Sequence, residues 1–228
     1  MSKKKFQLIL ISTLTMILVM ISGCHVEKYN KLGDFKVDES KSLYKEKKYD
    51  EAIKSVDSFL EKYPQYTLAL YGKALSLYNR EDYSEGLVYF NKYVEAGGDN
   101  KGINSYIMNS YLKQKDFNGA IDEFNSKIKK NPDNLSLYIL LGSIYEKQDN
   151  FDKAISCYDI IINKKIDYAD AYYNKGVCLV KLGEKDEACD NLKLAIKYDE
   201  EYIYDVEDDP EFDSLRNFDK FQDLFKKN

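Results

Sequence analysis

An all-α solenoid of five stacked helix–turn–helix units is the fold this sequence predicts, on three grounds. Small residues recur at a fixed interval of 34 positions: Ala52, Gly86, Ala120, Ala154 and Ala188. The residue three before each is aromatic in four units, Tyr49, Tyr83, Phe117 and Phe151, and Lys185 in the fifth. An apolar stripe with helical spacing follows each small residue. A unit of this length is a pair of helices that cannot bury its own apolar face and so stacks on its neighbours.

The units run 33–66, 67–100, 101–134, 135–168 and 169–202. The second helix of each is the clearer one. Ile53, Leu87, Ile121, Ile155 and Cys189 follow the small residue, and Leu60, Val94, Ile128, Ile162 and Ile196 come seven later. Between them lie Val56, Phe90, Phe124, Tyr158 and Leu192, which completes one face of a helix. Asp50, Ser84, Asn118, Asp152 and Asp186, two before the small residues, have side chains suited to an N-cap. Pro64, Gly97-Gly98 and Pro132 mark the ends of this helix in the first three units, and the last two lack such punctuation.

The first helices are weaker but visible, through Tyr138, Leu141, Gly142 and Tyr145 in the fourth unit and Tyr172, Gly176 and Leu179 in the fifth. With Phe151, Ala154 and Tyr158 added, the fourth unit resembles the tetratricopeptide repeat family, and the resemblance extends over 33–202. It implies a right-handed superhelix whose helices cross closely at the small residue. Unit one departs most, with Lys36, Glu39 and Ser40 in expected core slots, as suits the polar outer face of a terminal repeat. Past the fifth unit, residues 203–228 read as an acidic linker (Asp205, Glu207, Asp208, Asp209) and a C-terminal capping helix. Phe212, Leu215, Phe218, Phe221, Leu224 and Phe225 form the apolar side of that helix. The same stripe would also suit a membrane-surface or partner helix.

At the other end, Lys3, Lys4 and Lys5 precede an apolar run from Phe6 to about Ile21, then Ser22, Gly23 and Cys24. A basic head, a short apolar core and small residues before a cut describe an export signal over residues 1–23. Ile21-Ser22-Gly23-Cys24 resembles the bacterial lipoprotein box, which implies lipidation of Cys24 and a cell-membrane protein facing outside the cytoplasm. Two acyl chains suffice for stable anchoring where one is marginal. Residues 24–32 are then a lipidated N-terminus and tether, of which 25–32 span at most ~30 Å at ~3.3–3.6 Å per residue.

Removing the leader leaves 31 basic side chains against 39 acidic ones. That balance argues against nucleic acid, which needs clustered Lys and Arg, and Arg80 and Arg216 are the only arginines. His25, the single histidine, sits on the tether, so the folded part can assemble no Ser–His or Cys–His pair and no histidine metal site. Cys157, Cys178 and Cys189 lack the C-x-x-C spacing of redox or zinc sites. Cys189 stands in an apolar column and Cys178 in a small one. Cys157 stands in a variable, often polar column and is the one expected at the surface. One disulfide among the three is open outside the cytoplasm. No catalytic, metal, cofactor or small-molecule site is expected, and the chain does not read as an enzyme.

The family resemblance also implies a binding face. The fifth, ninth and twelfth positions of each unit point into the groove, one face of the first helix. They are Val37, Lys41 and Tyr44; Tyr71, Leu75 and Tyr78; Ser105, Asn109 and Leu112; Ile139, Ser143 and Glu146; and Tyr173, Val177 and Val180. Tyr44, Tyr71, Leu75, Tyr78, Asn109, Ile139, Tyr173 and Val177 are the candidate contacts for an apolar or aromatic segment of another envelope protein. The alternative is that these tyrosines pack internally or against the cap. Of the Lys and Asn pattern that clamps a terminal carboxylate in this family, only Asn109 survives. A membrane-anchored adaptor is the expected function. The second reading is a structural subunit of an envelope assembly, self-associating through solenoid ends or the C-terminal helix.

Overall fold

The computed structural model describes residues 36–99 and 102–226. The export signal, Cys24, the tether and the first three residues of unit one lie outside the described residues. Two compact units are distinguished, the first ending at Ile103 and the second running from Asn104. Among the described residues the secondary structure is entirely helical.

The first unit contains α1 over 36–45, α2 Tyr49–Lys62, α3 Thr67–Asn79 and α4 Tyr83–Glu95. Neighbours in sequence are neighbours in space, α2 on α3 and α3 on α4. Val56, Phe59, Leu60, Ala69 and Leu70 form its core, bordered by Val37, Tyr63, Tyr66, Tyr89 and Tyr93. After α5, Ile103–Lys113, the second unit continues with α6 Phe117–Lys130, α7 Leu135–Glu146, α8 Phe151–Lys164, α9 Ala169–Leu182 and α10 Lys185–Tyr198. Here too each of α6 to α10 packs on the next.

The turn inside each repeat has one construction. Lys47, Glu81, Lys115, Asp149 and Gly183, 34 residues apart, all take a positive φ between 55° and 85°. Around each, two backbone bonds close a Schellman motif, as in Lys48 N–H to Leu43 C=O and Lys47 N–H to Tyr44 C=O, both 2.9 Å. The same pair of bonds recurs at Asp82 and Glu81, Asp116 and Lys115, Asn150 and Asp149, and Glu184 and Gly183.

That turn fixes where the second helix starts and corrects the expected caps. Each second helix begins at the aromatic or Lys185 position, and its N-cap is Lys48, Asp82, Asp116, Asn150 or Glu184. Asp116 accepts from Gly119 N–H at 2.9 Å and Asn150 from Lys153 N–H at 3.4 Å. Asp50, Ser84, Asn118, Asp152 and Asp186 lie inside the first turn instead, where the three aspartates favour the helix dipole.

Close approach within the helix pairs rests on small residues facing large ones. A Cβ on Gly142 of α7 would lie 2.7 Å from the Tyr158 ring of α8, and one on Gly176 of α9 would lie 2.8 Å from Leu192 of α10. Successive repeats are tied by a recurring ion pair. Lys73 of α3 reaches Asp57 of α2 at 2.6 Å, and three repeats later Lys175 of α9 reaches Asp159 of α8 at 2.6 Å.

The C-terminal segment departs from the expected linker and single helix. The acidic stretch is itself helical, as α11, Tyr202–Asp208. It follows the same four-residue turn as the other repeats, with Tyr202 N–H bonded to Asp199 C=O as Tyr168 is to Lys165. Val206 is fully buried in the column of Leu70, Tyr138 and Tyr172, so α11 is the start of a sixth first helix. It stops because Pro210 disfavours helical backbone at Asp209, which is extended at φ −71°, ψ 121°. The remaining aromatic stripe is broken into a 3₁₀ turn Pro210–Leu215, a short α12 Asp219–Gln222 and a 3₁₀ turn Asp223–Phe225. Phe212, Leu215 and Phe221 are buried against Leu179, Ala188, Cys189 and Leu192 of α9 and α10.

Candidate functional site

In the first unit a concavity of about 450 Å³ opens between α1 and α3. Its lining includes Val37, Lys41 and Tyr44 from α1 and Tyr71, Gly72 and Leu75 from α3, with Val56 of α2 behind them. Val56 and Ser40 are buried and form the floor, whereas Leu68 at the mouth is 50% exposed. The register of two stacked first helices produces this geometry, because positions i, i+4 and i+7 of each face the same side. Five inner-face positions expected from the sequence therefore meet in one place: Val37, Lys41, Tyr44, Tyr71 and Leu75.

The walls are held from behind. The Tyr44 hydroxyl accepts from Asn79 Nδ2 at 3.0 Å, and its ring packs on Tyr49 at 5.7 Å between centroids. Tyr71 packs on Tyr93 of α4 at 5.3 Å. Ser40, an expected polar outer-face residue, is turned inward and donates to the Ala52 carbonyl at 3.1 Å. Tyr78 does not line the concavity. Its ring sits edge-on to Tyr83 at 5.4 Å and to Phe90 at 6.4 Å, which makes it part of the α3–α4 packing.

The candidates in the second unit are differently placed. Asn109 is half-buried on α5. Ile139 packs against the cluster of Tyr138, Ala154 and Tyr158. Tyr173 and Val177 are engaged by the C-terminal segment. The Tyr173 ring lies tilted against Tyr202 at 5.0 Å between centroids and edge-on to Phe212 at 5.6 Å, and its hydroxyl donates to Asp209. Burial, then the Asp209 carboxylate, push the Tyr173 phenol above its ordinary range. Val177 borders the cluster containing Val206 and Phe212. Glu146, another inner-face position, accepts from the Tyr158 hydroxyl at 2.6 Å and lies 3.4 Å from Cys178 Sγ.

Two polar features were not singled out by sequence reading. Lys73 is buried, bonded to Asp57 at 2.6 Å and Tyr89 Oη at 2.9 Å, with its ammonium 4.2 Å from the Tyr89 ring centroid. Burial disfavours its charge, but those bonds outweigh burial and its pKa is raised. Arg80 bridges Asp50 of α2 and Asp82 at the start of α4. Only the register of the repeats could have signalled either pair.

Cys157, expected at the surface, is buried, as are Cys178 and Cys189, and all three are free thiols. Burial raises the Cys157 pKa to about 11 and raises those of Cys178 and Cys189 as well. Such thiols stay protonated near neutral pH and are poor nucleophiles. Among the described residues no cluster of His, Cys, Asp and Glu could hold a metal ion. No helix among them is long and apolar enough to cross a membrane.

Comparison with known proteins agrees with this architecture. A family model described as tetratricopeptide repeat matches residues 37–101, and a second model with the same description matches 135–159 and 169–202. No curated protein matches in sequence. A crystal structure of MamA protein is similar with a TM-score of 0.57 and 20% identity, over 77% of this chain and 96% of that one. YrrB, described as a TPR protein with an unusual peptide-binding site, has a TM-score of 0.53 and 20% identity, over 75% of this chain and 89% of its own. MamA 41-end from Desulfovibrio magneticus RS-1 gives 0.56 and 15%, over 75% and 96%. At these identities the likeness concerns the fold. With matched repeats over more than half of its length and helix pairs set 34 residues apart throughout, the chain belongs to the tetratricopeptide repeat family.

Proposed function

We propose that the chain is a protein-interaction adaptor whose first unit captures a segment of another cell-envelope protein in the concavity between α1 and α3. The observation that carries this reading is the convergence of Val37, Tyr44, Tyr71 and Leu75, inner-face positions of two successive repeats, on one apolar recess. Tyrosine suits such a recess, because it offers large contact area at small entropic cost and a hydroxyl for orientation. A peptide lying there would bury apolar surface worth about 25 cal/mol per Å² before the cost of ordering it. The peptide-binding site named for YrrB, a protein of the same fold, is consistent with this use of a repeat surface.

The test is selection of a displayed peptide library on the full chain, followed by affinity measurement with Leu68→Glu. Leu68 is half-exposed at the mouth, so the substitution leaves helicity unchanged while weakening selected peptides at least tenfold. Peptides that bind the variant as well as the native chain would place capture elsewhere.

The adaptor is held at the bacterial cell membrane, outside the cytoplasm, by lipid on Cys24. The support is the sequence of the leader: three lysines, an apolar run and Ile21-Ser22-Gly23-Cys24. In cells, Cys24→Ala should move the protein out of the detergent-extracted membrane fraction and abolish incorporation of labelled fatty acid. Unchanged labelling would rule the anchor out.

A further inference from the structure

One glycine, Gly72, lines the concavity, and the fold does not require glycine there. Its backbone is not in the positive-φ region, and a Cβ placed on it would meet only Ser40 Oγ at 3.6 Å, an ordinary contact. That differs from Gly142 and Gly176, which face Tyr158 and Leu192 at 2.7 and 2.8 Å. The later repeats carry Tyr106, Leu140 and Asn174 in the Gly72 column, so the repeat itself accommodates a side chain there. Glycine inside a helix is unfavourable relative to alanine and is found where something must approach the backbone closely. What Gly72 leaves open is the space above Ser40 and Val56.

The rim adds a sign of charge. Lys41 and Lys45, one helical turn apart on α1, line the recess together with Asp38. Among the described residues the ammonium group of neither lysine forms an ion pair or a hydrogen bond, in a chain where acidic side chains outnumber basic ones by 39 to 34. A local cationic edge around an apolar pit selects for a carboxylate next to a large apolar group.

Resting on the reading of this recess as a capture site, we infer that Gly72 sets the depth of a socket for one bulky apolar side chain. The occupant is a peptide segment in which that side chain is flanked by carboxylates meeting Lys41 and Lys45.

The experiment titrates the full chain in detergent with three peptides, Ser-Glu-Phe-Glu-Ser, Ser-Lys-Phe-Lys-Ser and Ser-Glu-Ala-Glu-Ser, and follows amide resonances by NMR. The Glu-Phe-Glu peptide should shift Gly72 and Tyr44 saturably, with the other two at least tenfold weaker. Gly72→Leu should weaken that peptide at least tenfold without lowering the melting temperature. If leucine disturbs α3, Gly72→Ala serves in its place, with a smaller loss in the same direction. Lys41→Glu combined with Lys45→Glu should reverse the order of the two phenylalanine peptides. Equal binding of those two peptides to the native chain, or full binding by both Gly72 variants, overturns the inference. If library-selected peptides still fill the recess in those cases, capture stands and only the socket chemistry falls. If no peptide of any composition reaches it, both fall.

Discussion

At Gly142 the backbone of α7 lies against the hydroxyl end of the Tyr158 ring, and a methyl group there would sit 2.7 Å from ring carbons. The ring is fully buried and tethered by its hydroxyl to Glu146, so it has little freedom to move aside. Gly142→Ala should therefore destabilise the chain by about 1–3 kcal/mol, the usual cost of overpacking. Gly86 offers the contrast. A Cβ there meets its neighbours at 3.6–3.8 Å, and the equivalent positions hold Ala52, Ala120, Ala154 and Ala188. Gly86→Ala should stabilise by about 0.5–1 kcal/mol through reduced freedom of the unfolded chain. Shifts of the urea midpoint in opposite directions would check both. The small-residue column was legible as a period and Gly142 as a motif residue of the first helix, but its contact with Tyr158 was not. Cys157 was not, because a column that is polar elsewhere gives no sign that one member is buried.

The elements are set as much by the turns as by the apolar stripes. Each intra-repeat turn places one residue in the left-handed region, yet only the fifth uses glycine, Gly183; the others use Lys47, Glu81, Lys115 and Asp149. A side chain in that region costs roughly 1–2 kcal/mol. Gly183→Ala should thus destabilise by about that amount, whereas Lys115→Gly, on an exposed turn, should be stabilising by about 0.5–1 kcal/mol once the entropy of glycine is deducted. Calorimetric melting of the two variants decides it, and a loss of stability in Lys115→Gly would contradict the account. The turn also explains the displaced caps. Aspartate or asparagine two residues before the small column looks like a cap, but the Schellman bonds fix the cap two residues earlier. Likewise the spacing from Phe212 to Phe225 suggested one helix, and the extended backbone imposed on Asp209 by Pro210 gives short turns instead. The acidic run looked like a linker because its single buried residue, Val206, carries little apolar signal.

For the whole molecule, the repeat register does two things within each unit: it stacks buried columns inward and repeats a column of largely half-buried inner-face positions. In the first unit that column gathers Tyr44, Tyr71 and Leu75 around the concavity. In the second, at Tyr173 and Val177, the chain's own C-terminal segment occupies it. The first arrangement was readable from the register of the repeats. The second was the stated alternative, packing against the cap, but the choice between the two rests on contacts from residues more than thirty positions away, such as Asp209 and Phe212, which no local pattern encodes. The acidic balance of the chain makes the cationic rim at Lys41 and Lys45 a local exception, which supports the proposed placement of recognition at the first unit.

Hydrogen exchange of the full chain, with and without a library-selected peptide, tests that placement most directly. Capture in the first unit predicts slowed exchange over residues 37–45 and 68–75, with α8 and α10 unchanged. Protection confined to the second unit, or absent while the peptide is bound, would contradict it.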